Sequence, residues 1–382
     1  MTRLFLVAGE ASGDHLGALL MRALRLQAPS VQIVGVGGLE MTREGLASLF
    51  PLDDLAVMGL VPVLARLPLL ARRLDETVRA ILANPPDCLV LIDAPDFTHR
   101  VARRVRRAAP QIPIVDYVCP TVWAWRTGRA RRMRSYVDRV LAVLSFEPAA
   151  LARLGGPPCD YVGHPLVEHL AELTPEAESA ATLLVLPGSR EALARRMTPL
   201  YGAVVARLAR EFPQLDVAIP LAPTVENVVR DACAQWPVAP RFLTQAEKFT
   251  AYRRARAALV TSGAATLELA LAQVPMAIAY RVAPLESLLR PLVAVDCFGL
   301  PNLILHCAPE ALAVPEFIQD RATPQALAAA LAPLLRGGAA RDAQLERLAA
   351  VKREIARGGA TPSARAAQII LSHASGGEMS RG

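Results

Sequence analysis

At 382 residues the chain is longer than a single ordinary core supports, and it points to two domains of roughly 150 to 200 residues each. Although 53% of the residues are hydrophobic, no apolar run approaches the ~20 residues of a spanning helix, and the run after Met1 is too short for a signal peptide, so we expect a cytoplasmic protein without transmembrane segments. The net charge of +7, carried largely by arginine, favours anionic partners such as nucleotides, phosphorylated lipids, an anionic leaflet or nucleic acid. Six scattered cysteines without a C-x-x-C pair argue against a zinc site or a disulfide framework.

Short β-branched or leucine-rich runs at 4–7, 31–36, 89–92, 114–118 and 140–144 alternate with helical stretches such as 16–27 and 97–107, the pattern of a parallel sheet. The pattern restarts after Gly163-His164-Pro165, with strand-like runs at 183–186, 217–219, 259–261 and 276–280. The fold class is therefore α/β, two Rossmann-like doubly wound domains facing a cleft. We place the first domain at 1–165, a polar linker at 166–181, the second domain at 182–345, C-terminal helices that pack back on the first domain at 346–373, and a flexible tail at 374–382. Open α/β sheets bind ligands at the carboxyl ends of their strands, so the residues just after each strand are the candidates for chemistry.

After the first strand, Glu10, Ser12 and Asp14 lie in a small-residue turn, AGEASGDHLGA, whose glycines permit close backbone approach; an ordinary strand-to-helix turn is the alternative. Gly35-Val36-Gly37-Gly38 is followed by Glu40 and fails the dinucleotide fingerprint. In Ile92-Asp93-Ala94-Pro95-Asp96, Asp96 suits a helix cap, whereas Asp93 at the strand end can point into the cleft and take a hydroxyl proton. Trp123 and Trp125 in the next strand-end loop serve either ligand stacking or packing. Arg126, Arg129, Arg131, Arg132 and Arg134 form a solvated basic face or meet an acceptor phosphate or anionic lipid. In the second domain, Leu186-Pro187-Gly188-Ser189-Arg190 offers a guanidinium to a pyrophosphate, and Ser262-Gly263 with Glu268 offers backbone N–H groups to phosphate and a carboxylate to ribose; helix capping is the alternative for each. No H-E-x-x-H motif or acidic D-x-D at a strand end suggests a metal, and no cofactor is expected.

The stretch from Met58 to Leu74 reads as a helix with an apolar stripe that includes Leu60, Val63, Leu64, Leu67 and Leu70. Val61 and Leu69 lie off that stripe, and Arg66, Arg72 and Arg73 accompany it, as in an interfacial helix; a core helix is the alternative, and Pro68 is expected to bend or break it.

In matching order, the blocks AGEASGDHLGA, DDLAVMGL, IDAPDF, VWAWR, VGHPL, LPGSR, SG-x-x-TLE, LPN and VPEFIQ resemble the lipid-A-disaccharide synthase family of inverting GT-B glycosyltransferases. The resemblance implies transfer of 2,3-diacylglucosamine from UDP-2,3-diacylglucosamine to the 6-hydroxyl of 2,3-diacylglucosamine 1-phosphate, with no nucleic acid as partner. It also implies a peripheral location on the cytoplasmic leaflet of the inner membrane, where the 58–74 region is the membrane-associating part. Carried over residue by residue, Asp93 is the general base, Glu10, Ser12 and Asp14 line the catalytic cleft, and Arg190, Ser262, Gly263, Glu268 and Asn302 belong to the UDP site. The chain departs from the family pattern at Pro62, Cys119, Ser145, Leu193 and Ala264. Competing readings are another GT-B transferase, a UDP-sugar epimerase, or a noncatalytic binding protein.

Overall fold

The computed structural model describes residues 1–55, 60–174, 182–282, 294–356 and 359–376, the side chains of 60–65 excepted. The chain forms two compact units, Met1–Pro165 with Gly358–Gly382 and Leu166–Arg357.

The first unit is built on six parallel strands in the order β2-β1-β3-β4-β5-β6, with β1 at Arg3–Ala8, β2 at Gln32–Val36, β3 at Cys88–Ile92, β4 at Ile114–Tyr117, β5 at Arg139–Ala142 and β6 at Cys159–Tyr161. All five residues of β3 are buried, as expected for a central strand covered on both faces. Each such Leu, Val or Ile contributes roughly 1.5 to 3 kcal/mol by leaving water. The helices α1 (Ala11–Gln27) and α2 (Leu39–Arg43) follow β1 and β2, α3 (Leu60–Ala83) precedes β3, and α4 (Pro95–Ala108) follows it. One face of α4 buries His99, Val101, Ala102 and Val105, while Arg100, Arg103, Arg104 and Arg107 are exposed on the other. The C-terminal helix Pro362–Ala374 packs on α1, where the Gln27 side-chain amide donates to the Ala364 carbonyl at 2.8 Å.

The second unit repeats the plan, with strands ordered β12-β11-β10-β7-β8-β9: β7 at Thr182–Leu186, β8 at Asp216–Pro220, β9 at Arg241–Leu243, β10 at Ala257–Thr261, β11 at Met276–Tyr280 and β12 at Glu316–Ile318. Its core gathers Leu183 and Val185 of β7, Leu259 of β10 and the apolar face of the helix Glu191–Glu211. The helix Ala339–Ile355 also belongs to this unit, and its buried Gln344 side chain bonds both backbone groups of Met276.

Both sheets reverse winding direction at one point, between β1 and β3 in the first unit and between β7 and β10 in the second. The paired registers Ala8 with Ile92 and Leu186 with Val260 bring the carboxyl ends of these strands level, which opens a crevice at each reversal. Among the described residues no helix is long and apolar enough to cross a membrane.

Candidate active site

At the first reversal, the residues after β1 and β3 meet. Asp93 and Ala94 adopt φ of 56° and 46°, left-handed values that cost non-glycine residues roughly 1 to 3 kcal/mol each. Neighbouring groups hold them there: the Asp93 amide donates to the Tyr117 carbonyl at 3.1 Å, the Ala94 amide to Asp93 Oδ1 at 2.8 Å, and the Thr98 hydroxyl to the Asp93 carbonyl at 2.9 Å. Gly9 explains part of the local sequence, because a Cβ there would stand 2.3 Å from the Ala94 Cβ. Ser12 Oγ donates to Asp93 Oδ2 at 2.8 Å.

Glu10 completes the group. Exposed as a residue, it nevertheless turns its carboxyl to hydrogen-bond Asp93, where it is partly screened from water. Burial raises its pKa, and the Asp93 carboxylate beside it raises it further, against a smaller opposing bond from Ser12. The structure thus joins Glu10, Ser12 and Asp93 at the strand reversal.

Asp14 faces elsewhere. It is buried, and its carboxylate accepts the amides of Gly38, Glu40 and Met41 at 2.7, 2.9 and 3.0 Å, which fastens the turn after β2. Asp96 does not cap α4: the helix starts two residues before Phe97, with Pro95 in its first turn and no side-chain cap, and Asp96 points outward toward Arg129 at 3.3 Å. The tryptophan loop resolves into packing for Trp123, which is buried, stacks edge-on against Phe146 and donates to Glu147 Oε1 at 3.0 Å. Glu147 Oε2 accepts the amides of Val143 and Leu144 at 3.2 and 3.0 Å, and burial pushes its carboxyl up to about 7 in spite of these bonds. Burial likewise pushes His164 down to about 4.

At the second reversal lies a pocket of about 290 Å³ lined by Gly188, Ser189 and Arg190 after β7 and by Ser262, Gly263 and Glu268 after β10. Gly188 takes φ 102°, open to glycine alone without strain, and lets the chain turn beside Leu193. Among the described residues no carboxylate pairs with the exposed Arg190. Glu268 Oε1 pairs with Lys248 Nζ at 3.0 Å, and Oε2 accepts the Tyr252 hydroxyl at 3.1 Å, which fixes the carboxylate on the pocket wall. Burial, and then the Glu268 charge, hold the Tyr252 phenol well above its ordinary range. Asn302 does not reach this wall: it is fully buried, and its amide bonds Val314 and Glu316. Its link to the pocket is indirect, since Glu316 also accepts the amides of Phe298 and Gly299, and the Phe298 carbonyl accepts the Ser262 hydroxyl at 2.8 Å.

Lys248, Tyr252 and Gln245 also line this pocket and escaped the sequence reading. They follow β9, a strand of only three residues. Lys248 is one of the chain's two lysines in an arginine-rich composition, a signal that was available.

Of the apolar segment, α3 (Leu60–Ala83) runs helical through Pro68. The side chains of Leu60, Val61, Val63 and Leu64 lie outside the described residues. Leu67 is 43% exposed beside exposed Arg66 and Arg72, and Leu69 and Leu70 are half-buried. Arg73 turns inward to Asp54 and Glu76, each at 2.6 Å.

Comparison with known proteins agrees with this fold. Solved structures with the same fold include the UDP-GlcNAc 2-epimerase from Neisseria meningitidis bound to UDP-GlcNAc, at TM-score 0.64 and 11% identity over 97% of this chain and 99% of that one. The glycosyltransferase of kitacinnamycin follows at TM-score 0.61 and 18% identity, with 97% and 98% covered. Lipid-A-disaccharide synthase from Rhodopseudomonas palustris is 48% identical, covering 96% of this chain and 95% of that protein. The enzyme of the same name from Nitrobacter winogradskyi is 46% identical, covering 97% and 95%. The profile of the lipid-A-disaccharide synthetase family matches residues 4–370, and with relatives this similar over nearly their whole length, the chain belongs to that family.

Proposed function

We propose that this protein is a lipid-A-disaccharide synthase that transfers 2,3-diacylglucosamine from UDP-2,3-diacylglucosamine to the 6-hydroxyl of 2,3-diacylglucosamine 1-phosphate, releasing UDP. The observation that carries the mechanism is the Asp93 carboxylate at the first strand reversal, held by the Ser12 hydroxyl at 2.8 Å beside the Glu10 carboxyl. Asp93 takes the proton of the acceptor 6-hydroxyl as its oxygen attacks the anomeric carbon of the α-linked donor; the bond to UDP breaks on the opposite side, and a β-linkage forms. Ser12 orients the Asp93 carboxylate, and the Glu10 carboxyl, raised by burial and by the Asp93 charge, stands beside it. Asp14 contributes by holding the turn after β2.

In the second unit, Arg190 and the backbone of Ser262 and Gly263 hold the departing diphosphate. Glu268, fixed by Lys248 and Tyr252, accepts the ribose hydroxyls, and Asn302 supports the loop behind Ser262. The segment that carries Leu60, Val61, Val63, Leu64, Leu67, Leu69 and Leu70 meets the inner leaflet and admits the acyl chains; the exposed Leu67 between Arg66 and Pro68 supports this reading.

The test is release of UDP from UDP-2,3-diacylglucosamine by the purified protein. The expected result is release only when the acceptor is also present. Release independent of acceptor, or none with both substrates, overturns the assignment.

A further inference from the structure

A second cavity in the first unit, of about 250 Å³, is not used by the mechanism above. Arg103, Arg129, Arg132, Ser135 and Tyr136 line it, and no lining residue is acidic. A buried chain of bonds forms its floor. His99 Nε2 meets Asp116 Oδ2 at 2.9 Å, and the Tyr136 hydroxyl meets His99 Nδ1 at 3.2 Å. With Asp116 accepting from Nε2, Nδ1 is left to accept, and the Tyr136 hydroxyl donates to it. Its oxygen remains available to accept from Arg103, whose guanidinium lies 5.2 Å over the Tyr136 ring. Asp96 is the carboxylate facing Arg129, at 3.3 Å, and its side chain is 88% exposed, so a ligand's charge can displace it at little cost.

The position is as informative as the charge. Pro95, two residues past Asp93, forms one wall, and Pro120, just past β4, forms another. Because β4 neighbours β3 in the sheet, the cavity lies along the carboxyl edge next to the carboxyl pair. Three guanidiniums with no carboxylate around a small cavity suit a dianionic phosphate monoester better than an uncharged sugar or an acyl chain. We propose that this cavity holds the phosphate of the acceptor while its 6-hydroxyl is presented to Asp93. The proposal rests on the acceptor being the sugar 1-phosphate named above. It gives Arg103, Arg129 and Arg132 a role in acceptor selectivity and leaves Arg131, which is exposed near Gly155, on the solvated face.

The experiment compares two acceptors, 2,3-diacylglucosamine 1-phosphate and the same molecule without phosphate, in a neutral detergent free of phospholipid. UDP release is read for the natural chain and for Arg129→Gln and Arg132→Gln, with thermal melting as a check on folding. The natural chain should prefer the phosphorylated acceptor, and each substitution should lower that preference in kcat/KM about tenfold, the loss of one charge-assisted contact. Because no lipid headgroup is present, such a loss assigns the cavity to the acceptor's own phosphate. An unchanged preference in both folded variants, or equal losses on both acceptors, overturns the proposal and leaves the assigned reaction standing. If the natural chain releases UDP with neither acceptor, the assigned reaction fails, and the cavity's role fails with it.

Discussion

Replacing Asp93 by Asn isolates its basicity from its structural part. The left-handed φ of 56° is one that asparagine tolerates nearly as well as aspartate. The amide oxygen can still accept the Ala94 N–H now bonded at 2.8 Å, and the amide nitrogen can donate to Ser12 Oγ, which presently donates across 2.8 Å. With both bonds conserved in number, the folding cost should stay within about 1 kcal/mol, a shift of roughly 2 to 4 °C for a unit of this size. The amide cannot take the acceptor proton, and loss of a general base lowers turnover by about 10² to 10⁴-fold. The assay is UDP release at saturating substrates, beside calorimetric UDP binding, which should be unchanged because the nucleotide pocket is built from the second unit. A folded Asp93→Asn protein that keeps a third or more of the natural turnover would remove Asp93 from the base role.

Glu10→Gln removes the carboxyl beside Asp93, so kcat should fall while UDP affinity by calorimetry stays unchanged; full turnover in the folded variant counts against a part for Glu10 in the reaction. Arg190→Ala should weaken UDP binding about tenfold by calorimetry, and undiminished affinity would show that the exposed guanidinium does not reach the diphosphate. Glu147→Gln faces its new amide N–H toward buried donors now bonded to the carboxylate, which should cost about 1 to 3 kcal/mol in denaturant unfolding. Its pH dependence has a definite sign: burial raises the folded carboxyl from the ordinary 4.5 to about 7, so the natural chain holds this group's contribution fully below about 4.5 and loses it as pH rises through about 7. The stability gap between natural chain and variant should therefore narrow across that window, and a gap that widens contradicts the assigned titration.

The architecture could be read from the sequence because its central strands are nearly continuous apolar runs, and the strand ends then pointed to Asp93, Arg190 and Ser262. The strands β6, β9 and β12 could not be read so, being three residues long and carrying Asp160, Arg241 and Glu316. With β9 unseen, Lys248 had no strand end to mark it. Asp14 and Asn302 show the other limit. A polar residue in a motif looks the same whether its side chain faces a ligand or the backbone of its own fold, and only the bonds to Gly38 and Met41, or to Val314 and Glu316, tell the two apart. The helix α1 begins at Ala11, five residues before the apolar periodicity does, because its first turn holds small and polar residues around Ser12. That early start is what brings Ser12 to Asp93.

The central claim is a single displacement at the anomeric carbon, driven by one base and one leaving UDP. Its most direct test is the linkage of the product made by the purified protein from UDP-2,3-diacylglucosamine and the 1-phosphate acceptor, read by proton and carbon NMR. The account predicts a β-1,6 disaccharide formed in equal amount with UDP. An α-linked product would require two displacements and a covalent intermediate, and a sugar recovered as an epimer still bound to UDP would mean that no transfer takes place; either contradicts it.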